Sequence, residues 1–316
     1  MSPRKMTDRE WIISHLKPLM DKGKEINTLD GEIESKVPTY DKGYWTALKL
    51  ICIKYYIPPF VNIFRKRGKK TAFIDLFSGP GINILGDAKI PVLGSPLIPL
   101  VIDREKPGFD YHIFCDNKKK NVDALEARID AYKLLKSDKF SIEKKDANKL
   151  INEIPEILKS FGIDHSLIFI DPEGMEMKWD SVTSMADNIM CDFIINFPST
   201  AISRNLHYPD AIKSFLGPGS EKVPSSHVET WAIKQYRKNL AGIGKDVSTE
   251  IAIRAGGGIP YHYHLIPAVR KTFAASPWFP NIFGGLNYRI KKFSGKVLEE
   301  IASQIEGRSK SLVDMI

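Results

Sequence analysis

Four short apolar runs in this chain each end in a polar turn, and the residues at those turns are the ones that could do chemistry. The first run, Ala72 to Phe77, carries Asp75 near its end and continues as Leu76-Phe77-Ser78-Gly79-Pro80-Gly81. Gly79 and Gly81 let a backbone turn sharply and approach a ligand with no side chain in the way. Tight turns need glycine on steric grounds alone, so by itself the loop is a weak sign of a ligand. The second run, Tyr111 to Cys115, is followed by Asp116, placed where a carboxylate can accept both hydroxyls of a ribose. The third, Phe140 to Glu143, leads through Lys144 and Lys145 to Asp146 and Ala147, where a carboxylate could accept the exocyclic amine of an adenine. Helix capping explains Asp116 and Asp146 as well. The fourth, Leu167 to Ile170, runs into Asp171-Pro172-Glu173-Gly174, and two carboxylates delivered at one turn are hard to explain by stability alone. Together the glycine loop and three successive acids point to a nucleoside cofactor.

The loop separates two classes of cofactor. A nicotinamide dinucleotide site calls for Gly-x-Gly-x-x-Gly opening a helix that faces a pyrophosphate, with an acid about 20 residues further on. Here Phe77 stands at the first glycine position and the next acid of that kind, Asp116, comes much later. S-adenosylmethionine carries a sulfonium and no phosphate, so acids beside the loop suit it. Methyl transfer from a sulfonium is an in-line displacement that asks mainly for positioning and a dry pocket. With an amine as nucleophile, Asp171 and the carbonyl of Pro172 would accept its hydrogens, and Glu173 would take the released proton. Asn196-Phe197-Pro198, one run further on, would add an amide hydrogen bond and a stacking surface, although a strand-ending turn explains these residues almost equally. Lys118 and Arg204 are the candidate substrate contacts beyond them, and His207 lies in the same loop as Arg204.

Positioning these groups requires strands that end on one edge. From Thr71 onward, short apolar runs alternate with helical stretches, the pattern of a doubly wound, mostly parallel α/β sheet. The expected strands are the four above, Asp192 to Phe197, and a less clear pair, Glu250 to Ala255 and Tyr261 to Ile266, the latter alternating as an antiparallel closing strand would. Helices are expected over Lys119 to Leu135, Ala147 to Phe161, Ser181 to Ile189 and Val228 to Leu240. Residues 1–70 read as a helical extension, with helices over Asp8 to Lys22 and Tyr44 to Phe64, the second broken or kinked at Pro58-Pro59. Residues 71–270 form the core and 271–316 an extension packed on it. Gly217 to Ser226 and Ser276 to Gly285 read as loops; in the second, Pro277, Trp278, Phe279, Pro280 and Phe283 would either form a base-stacking lid or pack on the core.

Composition narrows the class. A chain of 316 residues that is 43% hydrophobic can bury a substantial core, which makes disorder an unsuitable default. No apolar run reaches the length that spans a bilayer, and no hydrophobic segment follows the charged first residues, so the expectation is a cytoplasmic protein without a membrane partner. Cys52, Cys115 and Cys191 are widely spaced within apolar stretches, as buried thiols are, and no metal site is expected. His262 and His264 share one strand face, a spacing that can bind metal but here fits cross-strand packing better. Lysine and arginine number 46 against 38 acids, a net charge of +8, which suits an anionic partner such as nucleic acid. The basic run Arg65 to Lys70 precedes the first core strand and so belongs to the edge away from the acids, while Lys118 to Lys120 and Lys144-Lys145 follow strands.

Asp75-Leu76-Phe77-Ser78-Gly79-Pro80-Gly81 resembles the cofactor loop of class I methyltransferases, including the DNA cytosine-carbon enzymes. No cysteine here follows a proline, so the nucleophile of that branch is missing. Asp171-Pro172 matches half of the Asp/Asn-Pro-Pro-aromatic motif of exocyclic-amine methyltransferases. The wider pattern resembles the three-Cys-motif partner family: Tyr44 to Tyr56, Asp75 to Gly81, Gly94-Ser95-Pro96-Leu97, Ile170-Asp171-Pro172-x-Gly174 followed by Trp179, and Asp192 to Pro198. The resemblance covers roughly residues 40 to 270. It implies a methyltransferase-type fold, S-adenosylmethionine as cofactor, and a neighbouring radical-type partner protein; it implies no established substrate or oligomeric state. Two rival expectations stand beside a nucleic-acid or nucleotide methyltransferase: a catalytically silent binding subunit, and a methyltransferase for a protein or small molecule.

Overall fold

Segments rich in β-branched and aromatic residues, such as Thr71-Ala-Phe-Ile-Asp75 and Cys191-Asp-Phe-Ile-Ile-Asn-Phe197, form strands buried on both faces, as parallel strands covered by helices on each side must be. The computed structural model describes residues 6–29, 39–102, 108–247, 249–271 and 278–308. In chain order the strands are β1 (Tyr40–Lys42), β2 (Thr71–Asp75), β3 (Ile82–Leu85), β4 (Ile90–Leu93), β5 (Tyr111–Asp116), β6 (Phe140–Lys144), β7 (His165–Ile170), β8 (Cys191–Phe197), β9 (Lys245–Asp246), β10 (Ile251–Gly256) and β11 (Ile259–Arg270). The helices are α1 (Asp8–Leu29), α2 (Thr46–Arg65), α3 (Ile98–Val101), α4 (Lys119–Ala131), α5 (Ala147–Leu150), α6 (Ile154–Ser160), α7 (Trp179–Asn188), α8 (Ser199–Arg204), α9 (Pro209–Leu216), α10 (Val228–Gly242), α11 (Trp278–Ile290) and α12 (Gly295–Ile305).

The main sheet runs β10-β11-β8-β7-β2-β5-β6, with β9 paired to β11. β2, β5, β6, β7 and β8 are parallel, and β11 is antiparallel to both β8 and β10. This is the doubly wound, Rossmann-like sheet that the pattern of runs predicts, with β11 as the antiparallel closing strand. Side chains of alternate residues go to opposite faces. Phe73, Leu167, Phe169 and Ile194 pack with α1, α2, α11 and α12 on one side, whereas Ile74, Ile113, Ile168, Phe193 and Phe197 pack with α7, α9 and α10 on the other.

Several expectations need correction. Residues 1–70 are not all helical: β1 pairs with β3, and β3 with β4, in a separate three-stranded sheet. α2 continues through Pro58 and Pro59 to Arg65. Proline removes a helical hydrogen bond; the buried face of α2, with Tyr56, Phe60 and Val61 in the core, holds the segment in the helix on both sides of the pair. α2 also contradicts the reading that no segment is long and apolar enough to cross a bilayer, since its 20 residues meet that test; more than half of the apolar window is packed inside the protein, as in a core helix. The stretch expected as Ala147 to Phe161 is two short helices. Ser276 to Gly285 is helical from Trp278, with Phe279 and Phe283 buried in the core, while Pro277 lies outside the described residues. Gly217 to Ser226 is a loop, as its glycines and prolines suggest.

The two faces of β2 carry the core, so truncation there is costly. Phe73→Ala is expected to lower unfolding free energy by about 3–5 kcal/mol, whereas Tyr208→Ala, at a residue 57% exposed, changes it by less than about 0.5 kcal/mol. Urea denaturation of the two variants side by side checks this.

Candidate functional site

Register brings the polar turns together. Asp75 lies opposite Phe114 on β5 and Phe169 on β7, so the loop leaving β2 emerges level with Asp116 and Asp171. Asp116 in turn lies opposite Lys144, two residues before Asp146, and Ile170 opposite Ile195, one residue before Asn196.

The loop is held by its backbone. The N–H and hydroxyl of Ser78 both donate to the carbonyl of Cys115, at 2.8 and 3.1 Å, and Gly79 N–H donates to Asp116 Oδ2 at 3.1 Å. Arg128, fully buried on α4, donates to the carbonyl of Pro80. Gly79 and Gly81 adopt φ of 60° and 90°, the left-handed region that only glycine enters freely. After Gly81 the chain forms the β3–β4 hairpin instead of a helix, then returns to the loop, where Gly94 N–H donates to the carbonyl of Gly81 at 2.7 Å. A Cβ on Gly94 would stand 2.8 Å from that same oxygen, so the hairpin closes only with glycine there. No helix amino terminus follows the glycine loop directly, which removes the usual seat of a pyrophosphate.

Each acid is tied to a neighbour. Asp116 Oδ1 accepts from Lys118 N–H at 2.8 Å and from Asn121 Nδ2 at 2.9 Å. Asp146 caps α5 through Asn148 N–H at 2.9 Å, and the Asn148 side chain reaches the turn after β7, donating to the carbonyl of Glu176 and accepting from Lys178 N–H and Ser181. Asp171 accepts from Lys49 Nζ at 2.5 Å on Oδ2 and from Asn196 Nδ2 at 2.7 Å on Oδ1. Glu173 is exposed and pairs with Lys42 of β1 at 3.3 Å.

These groups surround one cavity of about 990 Å³, a figure that includes space open to solvent. Of the residues singled out from sequence, Phe77, Ser78, Gly79 and Gly81 form one side of it. Asp116, Lys118, Asp146 and Ala147 form another, and Asp171 and Glu173 a third. Asp75 is not on the wall: it is fully buried behind the loop, where its Oδ1 accepts from Phe77 N–H at 3.2 Å. Pro172 is also buried off the wall, and Asn196 stands behind Asp171. Phe197 does not offer a stacking surface there, because alternation along β8 turns it to the opposite face, where it packs on Phe215 and Tyr236. Pro198 is buried and Arg204 is exposed, both away from the cavity.

Sequence reasoning missed the wall built by the extension: Tyr40, Lys42, Thr46 and Lys49. Lys49 had a local signal, a single charge inside the apolar run Thr46 to Ile53, which demands a buried counter-ion. It is 7% exposed. Tyr40, Asn121 and Arg128 carried no such mark. The two histidines of β11 do not converge on a metal: His262 Nε2 pairs with Glu229 at 2.6 Å and His264 Nδ1 meets the hydroxyl of Ser199 at 2.6 Å, with no metal-binding group of three or more His, Cys, Asp or Glu among the described residues. Burial and the neighbouring His262 lower the pKa of His264 to about 4. The three cysteines are buried free thiols, and Arg65 to Lys70 is exposed at the opposite edge of the sheet.

No family model matches the chain, and no curated protein does. Solved structures similar to it include protein LPL1258 from Legionella pneumophila (12% identity over 76% of this chain and 91% of that one, TM-score 0.46). Others are a putative RNA methyltransferase, PH1948, from Pyrococcus horikoshii (12%, 82% and 100%, TM-score 0.41) and magnesium protoporphyrin IX methyltransferase from Synechocystis with bound S-adenosylmethionine (10%, 85% and 100%, TM-score 0.39). At these identities and scores nothing about the chemistry passes to this chain; the sheet order rests on the coordinates themselves.

Desolvation is the main cause that raises Asp75 to about 7; Asp171 adds to it, and hydrogen bonds from Ser95 and Phe77 oppose it. An unfolded aspartate releases its proton near pH 4. Between about pH 4 and 7 the folded state therefore holds more protons than the unfolded one, and stability falls as pH rises through that window. Asp75→Asn removes this dependence. The expected result is a wild-type curve that loses up to about 4 kcal/mol relative to the variant between pH 4 and 7, read from denaturant midpoints.

Proposed function

We propose that the chain is an S-adenosylmethionine-dependent methyltransferase, with an amine of a nucleic acid or nucleotide as acceptor. The observation that carries the proposal is the convergence of a two-glycine loop and three strand-ending acids on one cavity. The residues suit the cofactor. Gly79 and Gly81 take the left-handed backbone that sets the loop against the cavity, Asp116 suits a ribose hydroxyl, and Asp146 and Ala147 suit an adenine. The β3–β4 hairpin, standing where a dinucleotide site would have a helix, favours adenosylmethionine over a nicotinamide cofactor.

When bound, the cofactor supplies a methyl group on a sulfonium. The protein's part is orientation. Asp171, held by Lys49 and Asn196, presents its remaining lone pairs toward an amine, and Glu173 at the rim receives the proton that the amine loses. Lys118, Lys120 and Lys144 are exposed on the same edge and suit phosphate contacts. The radical-type partner protein is part of the proposal through the resemblance to the three-Cys-motif partner family alone.

A second reading has its own support. Lys49 already places an amine on Asp171, so a binding subunit that keeps the fold without catalysis is consistent with the filled acid.

Transfer of a labelled methyl group to DNA or RNA separates the two. Wild type is expected to label nucleic acid, more weakly as salt rises, and both Asp171→Asn and Asp171→Ala are expected to reduce the rate by about 100-fold or more. Asp171→Ala strands the buried Lys49 and is expected to cost about 3–5 kcal/mol of stability, so Asp171→Asn is the test of chemistry. Cofactor binding without transfer by wild type supports the silent subunit, and salt-insensitive transfer to a protein or small molecule replaces the acceptor.

A further inference from the structure

The acid assigned above to the ribose has little capacity left to accept. A carboxylate offers about four lone-pair positions. On Asp116, Oδ1 accepts from Lys118 N–H and from Asn121 Nδ2, and Oδ2 accepts from Gly79 N–H. Oδ2 keeps one position, whereas a ribose presents a pair of hydroxyls. A bidentate grip by Asp116 alone therefore cannot form without breaking the contacts that hold the loop and α4.

The second partner stands beside it. Tyr40 lines the cavity, and its hydroxyl accepts from Asn121 Nδ2 at 2.5 Å. Asn121 is fully buried. Its amide orientation is dictated by Asp116, because turning it over would set the amide oxygen against the carboxylate. The Tyr40 oxygen is thus an acceptor within the protein, and its hydrogen is left for a ligand. Burial and the charge of Asp116 raise the Tyr40 pKa and keep that hydrogen in place. The ring is fixed as well. A Cβ on Gly79 would meet it at 3.0 Å, and Lys42 and Lys118 lie 4.9 and 5.8 Å from its centroid.

We propose that Tyr40, carried by β1 outside the doubly wound core, is the second half of a ribose grip: Asp116 Oδ2 accepts from one hydroxyl of the adenosine sugar and the Tyr40 hydroxyl donates to the other. This rests on the adenosine-cofactor reading above and adds to it a binding residue from the extension.

Isothermal titration with S-adenosylhomocysteine and its 2′-deoxy and 3′-deoxy analogues tests it. Tyr40→Phe keeps the ring over Gly79 and removes only the hydroxyl. The variant is expected to bind S-adenosylhomocysteine about 3- to 10-fold more weakly than wild type, with no loss for the one analogue that lacks the hydroxyl Tyr40 serves. Equal affinity of variant and wild type, or the same loss for all three ligands, overturns the inference. Wild type must also lose affinity for each deoxy analogue, a requirement independent of whether the variant folds; indifference to either one overturns it too. A wild-type protein that binds none of the three overturns the cofactor reading itself, and the inference with it.

Discussion

The parallel pairing of β2 with β5 on one side and β7 on the other is the constraint from which the site follows. It lays Asp75 level with Phe114 and Phe169, so that whatever leaves β2 must meet whatever leaves its two neighbours. A shift of one residue would turn every side chain of β2 to the other face and bury Asp75 among the wrong partners. Burial on both faces forbids that shift: Phe73 fits the layer beneath α2, Ile74 the layer beneath α7. Packing energy spread over the whole sheet thereby fixes the few atoms at its edge.

Charge at that edge is managed at short range. Asp171 and Lys49 are both largely shielded from water and meet at 2.5 Å, while Asp75 stands close enough for Asp171 to disfavour its ionisation. Buried carboxylates that would repel one another are thus separated in role: Asp171 has a lysine counter-ion and faces the cavity, and Asp75, whose pKa burial raises, braces the loop through Phe77 N–H. Asn148 does comparable work without charge, linking the turns after β6 and β7 through its amide. The β3–β4 hairpin and β1 add a wall on the open side, and Lys42 reaches from it to Glu173 across the mouth.

Much of this was legible in the sequence because it is local. Each core strand is an apolar run followed by a turn residue, and the acids after them are adjacent in sequence to the strands that place them. What was not legible comes from distant partners: 122 residues separate Lys49 from Asp171, and 81 separate Tyr40 from Asn121. No periodicity connects such pairs. Pro58-Pro59 misled because a local penalty was weighed without the core contacts of Tyr56 and Phe60 that override it. Phe197 misled for the opposite reason: strand alternation was available to show that it and Asn196 face opposite sides, and only the turn after them was considered.

The central claim is that the loop and the three acids hold one adenosine cofactor without a pyrophosphate. Equilibrium dialysis with labelled S-adenosylmethionine, challenged in parallel with unlabelled S-adenosylhomocysteine and with a nicotinamide dinucleotide, tests it most directly. The account predicts saturable retention at one site per chain, released by S-adenosylhomocysteine and untouched by the dinucleotide. Absence of saturable retention, or release by the dinucleotide, would contradict it.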